Sequence, residues 1–204
     1  YTFLSYYNYI EAFKSGIKYT KFDAIGIDGI LLVRVFNYLF HLNIIRISFD
    51  MTSLAPKIFS YAITYSMGIY FIGSKQSEID EFIRNVKIHY PSLNIIGYRN
   101  GYFNTSWEKN EAINVIINSD SNIVVIGMGC PLQDEFSTEL HKKGFEGTSY
   151  TCGGFIHQFK DGLMYYPKYI DRLNMRLAYR IINEKHVFKR TMVNLFRFIK
   201  LLLK

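Results

Sequence analysis

Two stretches of this chain set chemistry-bearing residues beside the glycines that a binding crevice needs. The first is Asp28-Gly29, directly after the apolar run Phe22 to Ile27. A carboxylate at a strand's end, followed by glycine, sits at the edge where α/β sheets bind ligands. The same carboxylate fits an Asx turn or the N-cap of the next helix. The second stretch is Ile123 to Phe136. Four apolar, mostly β-branched residues read as a buried parallel strand, and Gly127 and Gly129 then let the backbone turn and leave room for a ligand. Pro131 opens a helix whose first turn holds Gln133, Asp134 and Glu135. Strand, glycine turn and helix N-terminus form an anion site, because free N–H groups and the helix dipole point into the crevice. An ordinary βα turn with solvated polar residues has the same spacing.

The elements that must position these residues alternate. Asn8 to Lys18 is a weak helical stretch, and Phe22 to Ile27 reads as a strand followed by an apolar helix over Ile30 to Phe40. Asn43 to Ser48 reads as a second strand, with Arg46 inside it and Asp50 just beyond, and Thr52 caps a helix to about Ser66. Ile69 to Gly73, Leu93 to Gly97, Ile123 to Ile126 and Gly147 to Gly154 are further strands, the last closing on Gly153-Gly154. Helices from Ser77, over Trp107 to Asn118, and from Pro131 to Gly144 separate them. Such alternation predicts an α/β fold, a mainly parallel sheet with helices on both faces. After Gly162 only helical patterns remain: Pro167 to about Asn183, then His186 to Lys204. The division predicted is a body over residues 1–165 and a basic, amphipathic helical appendage over 166–204.

Charge sharpens that division. Residues 171–204 hold nine basic and two acidic side chains, whereas residues 1–170 hold fifteen of each. In the last helix Phe188, Met192, Leu195, Phe196, Ile199, Leu202 and Leu203 share a face, with Lys189, Arg197, Lys200 and Lys204 opposite. A basic amphipathic helix of this kind suits an anionic membrane surface, or packing on the body or on a partner subunit. Basic residues alternating with an apolar face do not make a nucleic-acid recognition surface, and no nucleic acid is expected. Two cysteines, Cys130 and Cys152, provide neither a disulfide framework nor a metal cluster, so a reducing compartment is expected. No secretory signal is visible, and no run of about 18 uninterrupted apolar residues exists to span a bilayer.

The ordered set Asp28-Gly29, Arg46…Asp50, Phe71-Ile72-Gly73, Pro91…Gly97, Gly101-Tyr102-Phe103, Gly127-Met128-Gly129-Cys130-Pro131-Leu132-Gln133-Asp134 and Gly153-Gly154-Phe155 resembles the WecG/TagA/CpsF glycosyltransferases. The resemblance covers nearly the whole chain and implies a Rossmann-like body. It also implies transfer of a sugar from UDP to a membrane-borne polyprenyl-diphosphate-linked saccharide, with inversion, for cell-surface polysaccharide. It implies no cofactor and no metal, and a cytoplasmic protein held peripherally at the inner face of the bacterial cell membrane, with room for a homo-oligomer.

By position, the resemblance makes Asp28 the catalytic base, Gln133 the substrate-contacting glutamine and Arg46 an arginine of the same cleft, near Asp50. It makes Phe103 a ring for uracil, and Arg180 and Arg190 appendage arginines for the diphosphate. Thr2, Gly129, Gly153, Gly154 and His157 complete the substrate-binding set. The chain departs from the family at Leu132 (usually Lys), Asp134 (usually Glu) and His157 (usually Asp), and Thr2-Phe3-Leu4 lacks the asparagine of the N-terminal signature. A non-catalytic nucleotide-sugar-binding subunit is the alternative reading.

Overall fold

The computed structural model describes residues 1–159, together with 170, 176–183, 192–193, 195–198 and 200. Its strands are β1 (Thr2–Leu4), β2 (Ile25–Ile27), β3 (Gly68–Gly73), β4 (Ile95–Arg99), β5 (Ser121–Gly127) and β6 (Thr148–Thr151). The helices are α1 (Tyr6–Ser15), α2 (Ile30–Phe40), α3 (Ala55–Thr64), α4 (Gln76–His89), α5 (Ser106–Ile117), α6 (Leu132–Lys142), α7 (Phe155–Phe159) and α8 (Arg176–Asn183). A short 3-10 turn at Tyr19–Lys21 precedes β2.

The larger sheet has the order β4-β3-β5-β6, all parallel, and β1 and β2 form a separate parallel pair. Tyr1 joins the two. Its N donates to Ser149 O at 2.8 Å and its O accepts from Thr151 N at 3.1 Å, the bonding of a parallel bridge. The strands' carboxyl ends therefore share one edge. β3 is buried along its whole length, as a strand covered by helices on both faces must be. On one face Phe59, Phe71, Phe82, Phe155 and Phe159 interlock, mostly edge to face; on the other, Ile113, Ile116, Phe136 and Leu140 pack on Tyr70, Val124 and Ile126. The α/β, Rossmann-like reading holds.

Chain order reverses across β3: α4 leads to β4 on one side, and α5 leads back to β5 on the other. A ligand crevice opens at such a switch point. Here it is floored by glycine. A Cβ on Gly73, whose φ is +151°, would strike the backbone of Gly127, and one on Gly101 would come within 2.9 Å of Gly73 Cα. Only hydrogen at these positions lets the two strand ends and the β4–α5 loop meet.

Three local expectations differ. Residues 43–48 form no strand. The Asn37 side chain takes both backbone groups of Ile44, accepting from its N and donating to its O at 3.0 Å each, and only Ile47 N reaches β2, at Ile27 O. An amide thus replaces the ladder partner. Thr52 does not cap α3, whose N-cap is Leu54; its N–H and hydroxyl both donate to Asp50 Oδ1. β1 was not anticipated, because Thr2, Phe3 and Leu4 are all buried and show no alternation of polar and apolar positions.

The boundary at 165/166 lies outside the described residues, as do Tyr165, Pro167 and all of 184–191. Within the tail, α8 falls inside the expected Pro167–Asn183 helix, and the described residues of 192–200 are helical. Phe198, off the predicted apolar stripe, is buried against Ile10 and Leu32, while Met192 and Phe196 of that stripe are exposed. Among the described residues of the tail, Phe198 packs on α1 and α2 while Met192 and Phe196 turn outward.

Candidate active site

Asp28 immediately follows β2, its N donating to Leu4 O at 2.8 Å. It does not cap α2: the N-cap is Gly29, and no side chain bonds there. Instead Arg46 Nε donates to Asp28 Oδ1 at 3.1 Å. Nη2 lies 3.1 Å from the same oxygen and is itself anchored, donating to Ser48 Oγ at 2.7 Å and to Asp50 Oδ2 at 3.0 Å. Ser48 Oγ in turn donates to Asp50 Oδ2 at 2.6 Å, and Asp50 Oδ1 is held by Thr52. The planar fork of arginine suits this bridging of two carboxylates. Asp28 is the accessible member, its side chain 43% exposed against 19% for Arg46 and 20% for Asp50. A fixed, solvent-reachable carboxylate at the carboxyl edge can accept a proton from a hydroxyl presented to it. Ser48, which the sequence reading passed over, ties the two anchors together from a buried position.

The second stretch is built differently from its sequence expectation. Pro131 is the N-cap of α6, not its first residue, and Gln133 and Asp134 are buried. Gln133 N donates to Gly129 O, and Asp134 and Glu135 N both donate to Pro131 O. Those three N–H groups are spent within the turn and are not free for an anion. Gln133 Oε1 accepts from Gly153 N at 3.0 Å, so this side chain holds the Gly129 turn against the Gly153-Gly154 turn. Removing a buried acceptor costs about 1–3 kcal/mol. Gln133→Leu, which keeps the volume and strands Gly153 N–H, is expected to lower the melting temperature measurably. A melting curve identical to wild type would refute the connector role.

Asp134 is fully buried beneath β1. It accepts from Thr2 Oγ1, which also lies 3.0 Å from Thr151 Oγ1, and from Tyr19 OH at 3.1 Å. Burial raises its pKa above the usual carboxylate value, against the pull of the Thr2, Cys130 and Tyr19 hydrogen bonds. Tyr19 is raised as well, by burial and by Asp134. Burial and Asp134 push the Cys130 thiol up to about 12. Cys152 is raised by burial. Neither thiol is a nucleophile near neutrality. A raised folded-state pKa means that Asp134 stabilises the fold most below its unfolded value, and that this contribution is lost as pH rises through the folded one. The melting temperature of wild type relative to Asp134→Asn should therefore fall between about pH 4 and neutrality. A difference that stays constant across that range would contradict the assignment. In the same network, Thr2→Val removes a bond to a charged acceptor and should cost about 1.5–3 kcal/mol in chemical denaturation.

Phe103 stacks on Phe136, with ring centroids 5.9 Å apart and planes 6° from parallel, and Arg99 Cζ lies 4.4 Å from its centroid. Arg99 is held by Glu108 at 2.9 Å. Phe103 is thus half-buried, and Tyr102 beside it, 63% exposed, is the freer ring. His157 on α7 pairs with Glu78 at the start of α4, Nδ1 to Oε1 2.8 Å. Arg180 lies in α8, its side chain outside the described residues, and Arg190 lies outside them altogether. The structure brings together Asp28, Arg46 and Asp50, joins Gln133 to Gly129 and Gly153, and buries Thr2 beneath them. Among the described residues no group of three or more His, Cys, Asp or Glu side chains is gathered to hold a metal ion.

Residues 16–204 match the profile of the Glycosyl transferase WecG/TagA/CpsF family. The chain belongs to that family. It is 36% identical over 198 residues, 97% of this chain and 83% of the relative, to a UDP-Gal:alpha-D-GlcNAc-diphosphoundecaprenol beta-1,4-galactosyltransferase of Shigella boydii. It is 25% identical over 122 residues to an N-acetylglucosaminyldiphosphoundecaprenol N-acetyl-beta-D-mannosaminyltransferase of Bacillus subtilis, covering 60% of this chain and 46% of that one. A protein of the same description from Bacillus spizizenii is 24% identical over 136 residues, 67% of this chain and 51% of the relative. As a member of this family the chain is a glycosyltransferase.

Proposed function

We propose that this glycosyltransferase moves a sugar from a UDP-sugar to a polyprenyl-diphosphate-linked saccharide, with inversion, at the inner face of the bacterial cell membrane. The observation that carries the reading is Asp28, exposed at the carboxyl edge and fixed by an arginine that is itself anchored twice. Asp28 takes the proton of the acceptor hydroxyl as its oxygen attacks the anomeric carbon. The bond from that carbon to the diphosphate breaks, and its electron pair leaves with UDP. The products are a new glycosidic bond, UDP and a protonated Asp28 that returns its proton to water. The glycine turns at Gly129 and Gly153-Gly154 shape the donor's side of the crevice, the Tyr102–Phe103 loop lies by the uracil, and Arg180 and Arg190 meet the diphosphate. Among the described residues no helix is long and apolar enough to cross a membrane. The body reaches its lipid acceptor by surface contact in this proposal.

The names of the relatives share an N-acetylglucosaminyl-diphosphoundecaprenol acceptor and a β product, which supports GlcNAc-diphospho-lipid as acceptor here. UDP-galactose is the first donor to try, since the relative matched over most of both chains uses it. Incubation with synthetic GlcNAc-diphospho-lipid and a panel of UDP-sugars should give a product heavier by one sugar, and UDP only when acceptor is present. Binding of UDP-sugars without any product across the panel would defeat the proposal.

A further inference from the structure

The exposed part of the tail does not account for a second apolar surface, carried by the body. From α2 into the following loop, Tyr38 (81% exposed), Leu39, Phe40 (60%), Leu42, Ile45 (72%) and Ile47 all face outward. Single exposed apolar residues need no explanation, but a contiguous cluster marks contact with protein or lipid. The segment is built rather than loose. Asn37 clamps Ile44 by two hydrogen bonds, and His41 ends α2 in the left-handed conformation. Phe40 packs edge-on against Phe36 at 5.5 Å, Phe36 against Tyr9 at 5.8 Å, and Tyr9 against the buried tail residue Phe198 at 6.0 Å. The exposed tip is thus continuous, through one aromatic ladder, with the tail helix that exposes Phe196 and Met192.

The surroundings are cationic. Between Gly29 and Phe49 there is no Asp or Glu, while Arg34 and His41 are exposed. The packed tail exposes Arg197 and Lys200, and α1 adds Lys14 against a single Glu11. A symmetric contact between two copies would bring these like charges together. A bilayer with anionic headgroups complements both the charge and the apolar tip. The same loop runs directly into Arg46, the residue bonded to Asp28.

We infer that the Tyr38–Ile47 tip of the body is itself a lipid-docking surface, inserted among anionic headgroups. A loop rooted in Arg46 then holds Asp28 at the level where a lipid-borne diphosphate saccharide emerges. The choice of lipid rests on the acceptor proposed above.

The probe is Tyr38→Trp in a Trp107→Phe background, since Trp107 is the lone tryptophan. Its emission should shift to the blue with phosphatidylglycerol/phosphatidylethanolamine vesicles, and an unshifted spectrum overturns the inference. In flotation with the same vesicles, Phe40→Ser/Ile45→Ser should bind about tenfold or more weakly. Transfer to vesicle-embedded acceptor should fall in parallel, and transfer to a water-soluble short-chain acceptor should not change. Wild-type flotation by the double variant overturns the docking role. So does a wild-type dimer that the variant turns into monomers with vesicle binding intact, which would make the tip a contact between copies. If neither acceptor is glycosylated but flotation still depends on Phe40 and Ile45, the acceptor reading fails and the docking surface stands.

Discussion

Replacing Asp28 with Asn is expected to lower turnover by about 10²–10⁴, the usual worth of a positioned general base. Donor binding and thermal stability should change little. Asn keeps the size and can still accept from Arg46, and the pair it weakens has a carboxylate 43% exposed. Such pairs contribute only about 0–1 kcal/mol to folding. Turnover near wild type would remove Asp28 from the chemistry. A large drop in melting temperature with turnover retained would make it a structural partner of Arg46.

Arg46→Lys is expected to cost about 10²-fold in kcat, the scale of a roughly 1 Å misplacement of a catalytic group. The guanidinium reaches Asp28 through Nε and both Ser48 and Asp50 through Nη2. An ammonium is a compact point charge that can take the place of Nη2 between the two carboxylates but has no second donor where Nε holds Asp28. Charge is conserved in the substitution, so the loss isolates orientation from electrostatics. The pH profile of the remaining activity should keep its shape, because the same base still acts. An unchanged kcat would show that Asp28 needs no such clamp.

Much of this was legible in the chain. The αβ alternation, the apolar runs of β3 and β5 and the helix over Ile30 to Phe40 rest on local periodicity, which one face or two of buried contacts impose directly on sequence. Asp28, Arg46 and Asp50 were legible as polar residues flanking apolar runs. Their union in one network was not, since Arg46 lies in a segment that forms no strand and is steered by the amide of Asn37. Gln133 was legible as a motif residue, whereas its bond to Gly153 joins positions twenty residues apart.

The sequence by itself determined the fold class, the family and the asymmetry between a neutral body and a basic tail. These are properties of period, order and composition, and each is local or additive along the chain. Only the tertiary structure decided what the polar groups do. It paired Thr2 with Asp134 and Tyr19 with the same carboxylate, across 132 and 115 positions. It buried Phe198, left Met192 and Phe196 of the predicted stripe exposed, and left the apolar side chains of the Tyr38–Ile47 tip facing outward. The physical reason is that burial and hydrogen-bond partnership belong to surfaces that meet in space. Periodicity shows which face of an element is apolar, but the matching surface comes from distant residues, and where none arrives an apolar face remains open to a partner outside the chain.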